Sequence, residues 1–251
     1  MKKVNKQSDV YVNIAKRISA LLIGAAMTLF PAAATAQSME DAVQSDASGA
    51  AALKTVVLGS AATFAVLAGT TVTNTGNTIV NGDLGVWPGT AVTGFGPGVV
   101  NGTIHAGDVT AQHAQGSLTI AYNDAAGRVG GTLLAGDLGG RTLTPGLYKS
   151  TSTLSITGDL TLRGKGVYIF QIASGLAVSG GGRVVLAAGA KASDIFWQVG
   201  SSATLGTTAV FNGTILAFTS ISLATGATMN GSALAQGGAV TLDDNLVTKQ
   251  Q

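Results

Sequence analysis

The run "TSISLATGATMNGSALAQGGAVTLDDN", residues 219–245, states nearly the same pattern twice. Each half sets an apolar residue at every second position, which is the period of a strand with one buried side. Working outward, the signature of 220–224 ("SISLA") and 239–243 ("AVTLD") is met again at 153–157 ("TLSIT"), 175–179 ("GLAVS") and 202–206 ("SATLG"). The central residues Ser155, Ala177, Thr204, Ser222 and Thr241 recur at intervals of 18 to 27 positions. A second strand pattern follows the same rhythm as "VYIFQI", "DIFWQV", "GTILAF" and "GSALAQ", starting at Val167, Asp194, Gly213 and Gly231. Asn81-Gly82, Asn101-Gly102, Asn212-Gly213 and Asn230-Gly231 supply turn punctuation. Several short strands in each near-regular period predict an all-β solenoid, whose turns hide their apolar side only by stacking on neighbours.

Strand parity sorts the five segments into two faces. Leu154, Ile156, Leu176, Val178, Ala203, Leu205, Ile221, Leu223, Val240 and Leu242 take the core side. The other side carries Thr153, Ser155 and Thr157, then Gly175, Ala177 and Ser179, then Ser202, Thr204 and Gly206. It continues with Ser220, Ser222 and Ala224, and ends on Ala239, Thr241 and Asp243. Stacked turns repeat this face every ~4.8 Å, and alternate residues on one strand stand ~6.7 Å apart. The result is a stiff grid of hydroxyls and methyls with few rotamers to lose on binding. A water-exposed sheet ordinarily carries Lys, Glu and Arg as well, and their near-absence over five rungs marks this face as a surface for a regular, uncharged partner. Crystalline water fits best, and a polysaccharide surface next.

Composition narrows the alternatives. Lys2, Lys3, Lys6, Lys16 and Arg17 precede the apolar run "ISALLIGAAMTLF" and then "AAATAQS", the layout of a secretory signal cleaved after Ala36. The apolar run falls short of the ~20 residues that span a bilayer. We therefore expect residues 1–36 to be a bacterial export signal, 37–54 a flexible lead-in and 55–251 the solenoid domain, secreted and with no membrane contact in the mature form. Setting aside the five basic residues and one acid of 1–36 leaves nine basic and eleven acidic residues, a net charge of −2. Single, scattered Lys and Arg do not make a nucleic-acid or anionic-membrane surface. With no cysteine, cohesion rests on burial and backbone pairing.

One stretch departs from the strand pattern. In residues 110–129, Ala111, Ala114, Leu118, Ala121, Tyr122 and Ala125 fall at spacings of three and four, predicting an amphipathic helix over about 111–129 that lies along the solenoid. Gly116 within it costs about 1 kcal/mol relative to Ala.

Catalytic and metal chemistry finds little material. Asp83, Asp137 and Asp159 stand alone in turn-like contexts, and Asp243 and Asp244, adjacent on a strand, point to opposite faces. His105 and His113 read as a solvated pair with no Cys or carboxylate to complete a metal set. "GGGR" (180–183) lacks the Lys and Ser/Thr of a phosphate loop and reads as a tight turn. Tyr168, Phe170, Phe196 and Trp197 read as core or helix-contact residues. No enzymatic activity, cofactor or metal is expected.

The segments at 58–96, 121–128, 143–164, 167–181 and 194–236, with "AVTLD", together resemble the microbial ice-binding (antifreeze) protein family. The likeness covers about 57–248, with several separate motifs in the same order. It implies a discontinuous right-handed β-solenoid of triangular section, with one long α-helix packed alongside and adsorption to an ice crystal surface through one flat face. The family's ice-contact strand carries over to Ser155, Ala177, Thr204, Ser222 and Thr241, "AVTGFG" adds Thr93, and "TTVT" adds Thr71 and Thr73. With Thr153, Ser202 and Ser220 beside them on the outward face, these form the expected contact set, acting in a monomer. "GPGVVNGTIHAGD" is short where many relatives carry a longer insertion. The alternative is an exported carbohydrate-binding or adhesive β-solenoid.

Overall fold

The computed structural model describes residues 53–250. The expected export signal and residues 37–52 of the lead-in lie outside them. Leu53 and Lys54, the end of the expected lead-in, are held: Leu53 packs against the apolar layer under the helix, and the Lys54 carbonyl accepts from Arg128 Nη1 at 3.1 Å.

A 3₁₀ turn (Gly59–Thr63) opens onto two three-strand coils. The first holds β1 (Phe64–Ala68), β2 (Thr71–Thr75) and β3 (Ile79–Asn81). The second holds β4 (Asp83–Val86), β5 (Ala91–Thr93) and β6 (Val99–Val100), and a last strand, β7 (Ile104–Ala106), leads into helix α1 (Val109–Gly127). The short stretch 96–108 is thus spent on β6, β7 and the helix cap. Six coils follow the helix. Their first strands are β8 (Thr132–Leu133), β11 (Gly146–Ser150), β14 (Tyr168–Ile172), β17 (Ile195–Val199), β20 (Thr214–Ala217) and β23 (Ala233–Ala235). Their second strands are β9 (Gly136–Asp137), β12 (Leu154–Ile156), β15 (Leu176–Val178), β18 (Ala203–Leu205), β21 (Ile221–Leu223) and β24 (Val240–Asp243). Their third strands are β10 (Thr142–Leu143), β13 (Asp159–Arg163), β16 (Arg183–Ala187), β19 (Val210–Asn212), β22 (Thr228–Asn230) and β25 (Leu246–Thr248).

First, second and third strands each stack in parallel into one sheet, of nine, eight and eight strands, here sheets A, B and C. The stacking order is not the chain order. Strands β1, β2 and β3 lie against β23, β24 and β25, so the first coil docks on the last. Helix α1, about 28 Å long at 1.5 Å per residue, carries the chain from the β7 end of sheet A back to the β8 end. The solenoid is therefore discontinuous in sequence and continuous in hydrogen bonding.

Sheet A is apolar on both sides because it has two partners. Inward, Tyr148, Phe170 and Trp197 form an aromatic stack, with Phe170 and Trp197 centroids 3.8 Å apart and their planes nearly parallel, and Phe211 of sheet C meets Trp197 at a tilt. Outward, Ile169, Phe196, Leu216 and Leu234 meet Ala114, Leu118, Ala121 and Ala125 of the helix. Alanines at these positions let the helix approach closely. The helix starts two residues before the expected limit and ends two before it: Asp108 Oδ1 accepts from Ala111 N at 2.8 Å as N-cap, and Arg128 already has extended backbone.

The Asn-Gly pairs sit at the corner between sheets C and A. Asn230 Nδ2 donates to Asn212 Oδ1 (3.0 Å) and Asn101 Nδ2 to Asn81 Oδ1 (2.8 Å), so one coil's turn is tied to the next. A Cβ on Gly231 would lie 2.0 Å from the Gly213 carbonyl oxygen, which leaves glycine as the fitting residue at that crossing.

Candidate functional site

Sheet B has its inner side in the core, and α1 packs on sheet A, so the outer side of sheet B is open. Strand register aligns that side. Ser155 lies beside Ala177, Ala177 beside Thr204, Thr204 beside Ser222 and Ser222 beside Thr241. Thr241 then lies beside Thr73, and Thr73 beside Thr93. One residue from each of seven successive strands thus forms a single column, with Asp137 of β9 beside Ser155 at its end. Over eight strands the column runs about 34 Å. Its members are exposed or half-buried, while Leu154, Leu176, Ala203, Ile221 and Val240 beside them are buried.

The residues expected on this face fall into two groups. Thr153, Ser202 and Ser220, two positions upstream of the column, spend their oxygens on the next coil. Ser202 Oγ accepts from Ser220 N at 3.3 Å, Ser220 Oγ from Ala239 N at 3.2 Å, and Thr153 Oγ1 from Gly175 N at 3.4 Å. Thr71 lies in register with Ala91 on the same flank. In the column itself, the hydroxyls of Thr204, Ser222 and Thr241 have no hydrogen-bond partner among the described residues. They are free to bond water.

Asp137 was expected in a turn and is the last residue of β9, brought to the face because β9 pairs with β12. The Thr157 hydroxyl, then the backbone N–H groups of Gly139 and Thr157, all donate to its carboxylate and hold its pKa down to about 2. Asp83 and Asp159 likewise open strands instead of sitting in turns, and Asp83 Oδ1 accepts from Thr103 N at 2.9 Å. The two histidines are not a solvated pair. His113 is exposed on the helix, whereas His105 on β7 is half-buried with its Nδ1 2.7 Å from Asp108 Oδ2. The Ala111 N–H and then the His105 ring keep Asp108 below the usual carboxylate range. Among the described residues no three of His, Cys, Asp and Glu come together, and no helix is long and apolar enough to cross a membrane.

A repeated, flat, neutral strand face on a helix-braced solenoid has known counterparts. Residues 66–248 match the family described as ice-binding-like. The chain belongs to that family. Among ice-binding-like relatives, an ice-binding protein of Nostoc sp. (strain HG1) is 46% identical over 198 residues, covering 76% of this chain and 73% of the relative. One from Flavobacterium frigoris (strain PS1) is 41% identical over 232 residues, covering 86% and 84%. The crystal structure of an ice-binding protein from an Antarctic biological consortium superposes with a TM-score of 0.77 at 50% identity, over 78% of this chain and 92% of that one. That of the Antarctic ascomycete Antarctomyces psychrotrophicus gives 0.76 at 40% identity, over 79% and 100%.

Within this ice-binding-like fold, the helix is fixed by residues that sequence reading passed over. Gln171 Nε2 donates to the carbonyls of Ala125 (2.7 Å) and Arg128 (2.8 Å), closing the helix C-terminus from sheet A. Gln115 Nε2 reaches the Ala235 carbonyl (3.0 Å) and Gln198 Nε2 the Tyr122 hydroxyl (2.9 Å). The signal was present: Gln171 and Gln198 hold the same place in "YIFQI" and "IFWQV", and the strands pair them in register.

Proposed function

We propose that this is a secreted, non-enzymatic ice-binding (antifreeze) protein that adsorbs to ice through the outer face of sheet B, slowing ice growth and recrystallisation. The observation that carries the reading is the in-register column from Ser155 to Thr93, whose central hydroxyls lack partners among the described residues. Such a column holds a file of waters at the strand spacing, with methyl groups between them restricting where those waters sit. No single contact need be strong, because one rigid body engages many at once. The central column offers no base or nucleophile, and the relatives above are named for ice binding, which supports a binding role over a catalytic one.

Thr204→Tyr and Ser222→Tyr test this by raising a bump mid-column. Each is expected to abolish most thermal hysteresis and recrystallisation inhibition with an unchanged circular dichroism spectrum. Thr228→Tyr, on the outer side of sheet C, is expected to keep full activity. Full activity in both sheet B variants moves the contact to another face.

A further inference from the structure

A second surface lies at the corner where sheet A turns into sheet B. There a cleft of about 450 Å³ opens between α1 and the loops after β4, β20 and β23, walled by Trp87, Phe218, Gln112, Gln115, Gly116 and Gln236. That volume falls among small-ligand sites, which run from about 300 to 1,000 Å³. No charged side chain lines it.

We propose that this cleft is a binding site for a neutral saccharide, separate from the sheet B column. Three observations converge on it. Phe218 is 55% exposed at the cleft wall and is braced from behind by Tyr122, with ring centroids 6.0 Å apart, so a large apolar ring is held toward the solvent instead of folding under the helix. Phe218 and Trp87 offer flat apolar surfaces of the kind that stack on the C–H face of a pyranose. Second, a polar group beside them awaits a partner. Gln236 Nε2 is shielded from solvent without an acceptor among the described residues. Buried donors are normally paired, and an unpaired one calls for an explanation; a ligand hydroxyl supplies the acceptor. Third, Gly116 sits in the helix interior where glycine is disfavoured, yet no packing requires it, because a Cβ there would meet nothing within 4 Å. What its missing side chain preserves is open space on the cleft wall. Rings and amides without charge select a polyhydroxylated neutral ring over an anionic or cationic ligand.

The chain has two tryptophans, Trp87 in the cleft and Trp197 in the core, so ¹⁵N-labelled protein gives two indole signals, assigned through Trp87→Phe. Titration with neutral tetrasaccharides (cellotetraose, maltotetraose, laminaritetraose, mannotetraose) is expected to move the Trp87 signal saturably and leave that of Trp197 in place. Gly116→Leu fills the cleft with a better helix former and is expected to weaken the binding at least about tenfold; Phe218→Ala, at an exposed position, is expected to do the same. Thermal hysteresis stays unchanged in both, which separates this result from a failure of the ice-face reading. The proposal is overturned if no neutral tetrasaccharide shifts Trp87 up to millimolar concentration, if both variants bind as the parent does, or if tetragalacturonate binds more tightly than every neutral probe.

Discussion

Thr204 and Ser202 stand two positions apart in the chain, yet their hydroxyls have different uses. Ser202 and Ser220 each accept a backbone N–H of the next coil, so Ser220→Ala is expected to lower stability by about 1 kcal/mol. Thr204→Val, which removes a hydroxyl with no partner among the described residues, is expected to leave stability near that of the parent and to reduce hysteresis; urea unfolding beside an ice-growth assay separates the two. Asp137 gives a pH signature. Its folded pKa of about 2 lies below the ordinary 3.8, so its ionised form stabilises the fold above about pH 4, and that contribution fades as pH falls toward 2. Thermal midpoints of the parent and Asp137→Asn should therefore differ at neutral pH and converge in acid. Strand parity together with the repeat makes the column from Ser155 to Thr241 legible in sequence, because parity picks the outward residue of each motif and the motifs recur; Thr73 and Thr93 were legible only through the family likeness. Which hydroxyls are spent inside the fold is not legible, since Ser220 finds its donor 19 positions away in another coil.

Between the helix and sheet A, polar anchoring and apolar packing can be told apart. Gln171→Leu keeps the volume but strips the helix C-terminus of its donor, leaving the buried Ala125 carbonyl and the half-buried Arg128 carbonyl without it, and is expected to cost about 1–3 kcal/mol in denaturant unfolding. Trp197→Ala removes one member of the aromatic stack, and a loss of about 3–5 kcal/mol is expected for a large buried ring. The helix itself was readable from the spacing of its alanines and Leu118. Its limits were missed because Asp108, the cap, precedes the apolar periodicity, and because the C-terminus is closed by a side chain from 46 residues away.

The order of the coils was the least readable feature, since five similar strand motifs say that coils stack without saying which is the neighbour of which. The structure sets the first coil on the last, with Thr73 beside Thr241 and Asn245 N bonding Thr78 Oγ1 at 3.0 Å across 167 positions. A plain solenoid can fray from either chain end. Here the first and last coils both lie inside the stack, so native-state hydrogen exchange is expected to give the β2 and β24 amides the same opening free energy. Markedly faster exchange in β2 would mean the seam opens by itself. The outermost strands have a consequence of their own. At one extremity β8, β9 and β10 are two residues each, with Asp137 on the rim, and at the other β5, β6 and β7 are two or three. Such stubs offer a poor template for another copy to add its own strand. The column thereby stops at a fixed length, and on the ice contact proposed above each molecule is expected to meet a crystal as a separate tile and not as a unit in a growing fibre.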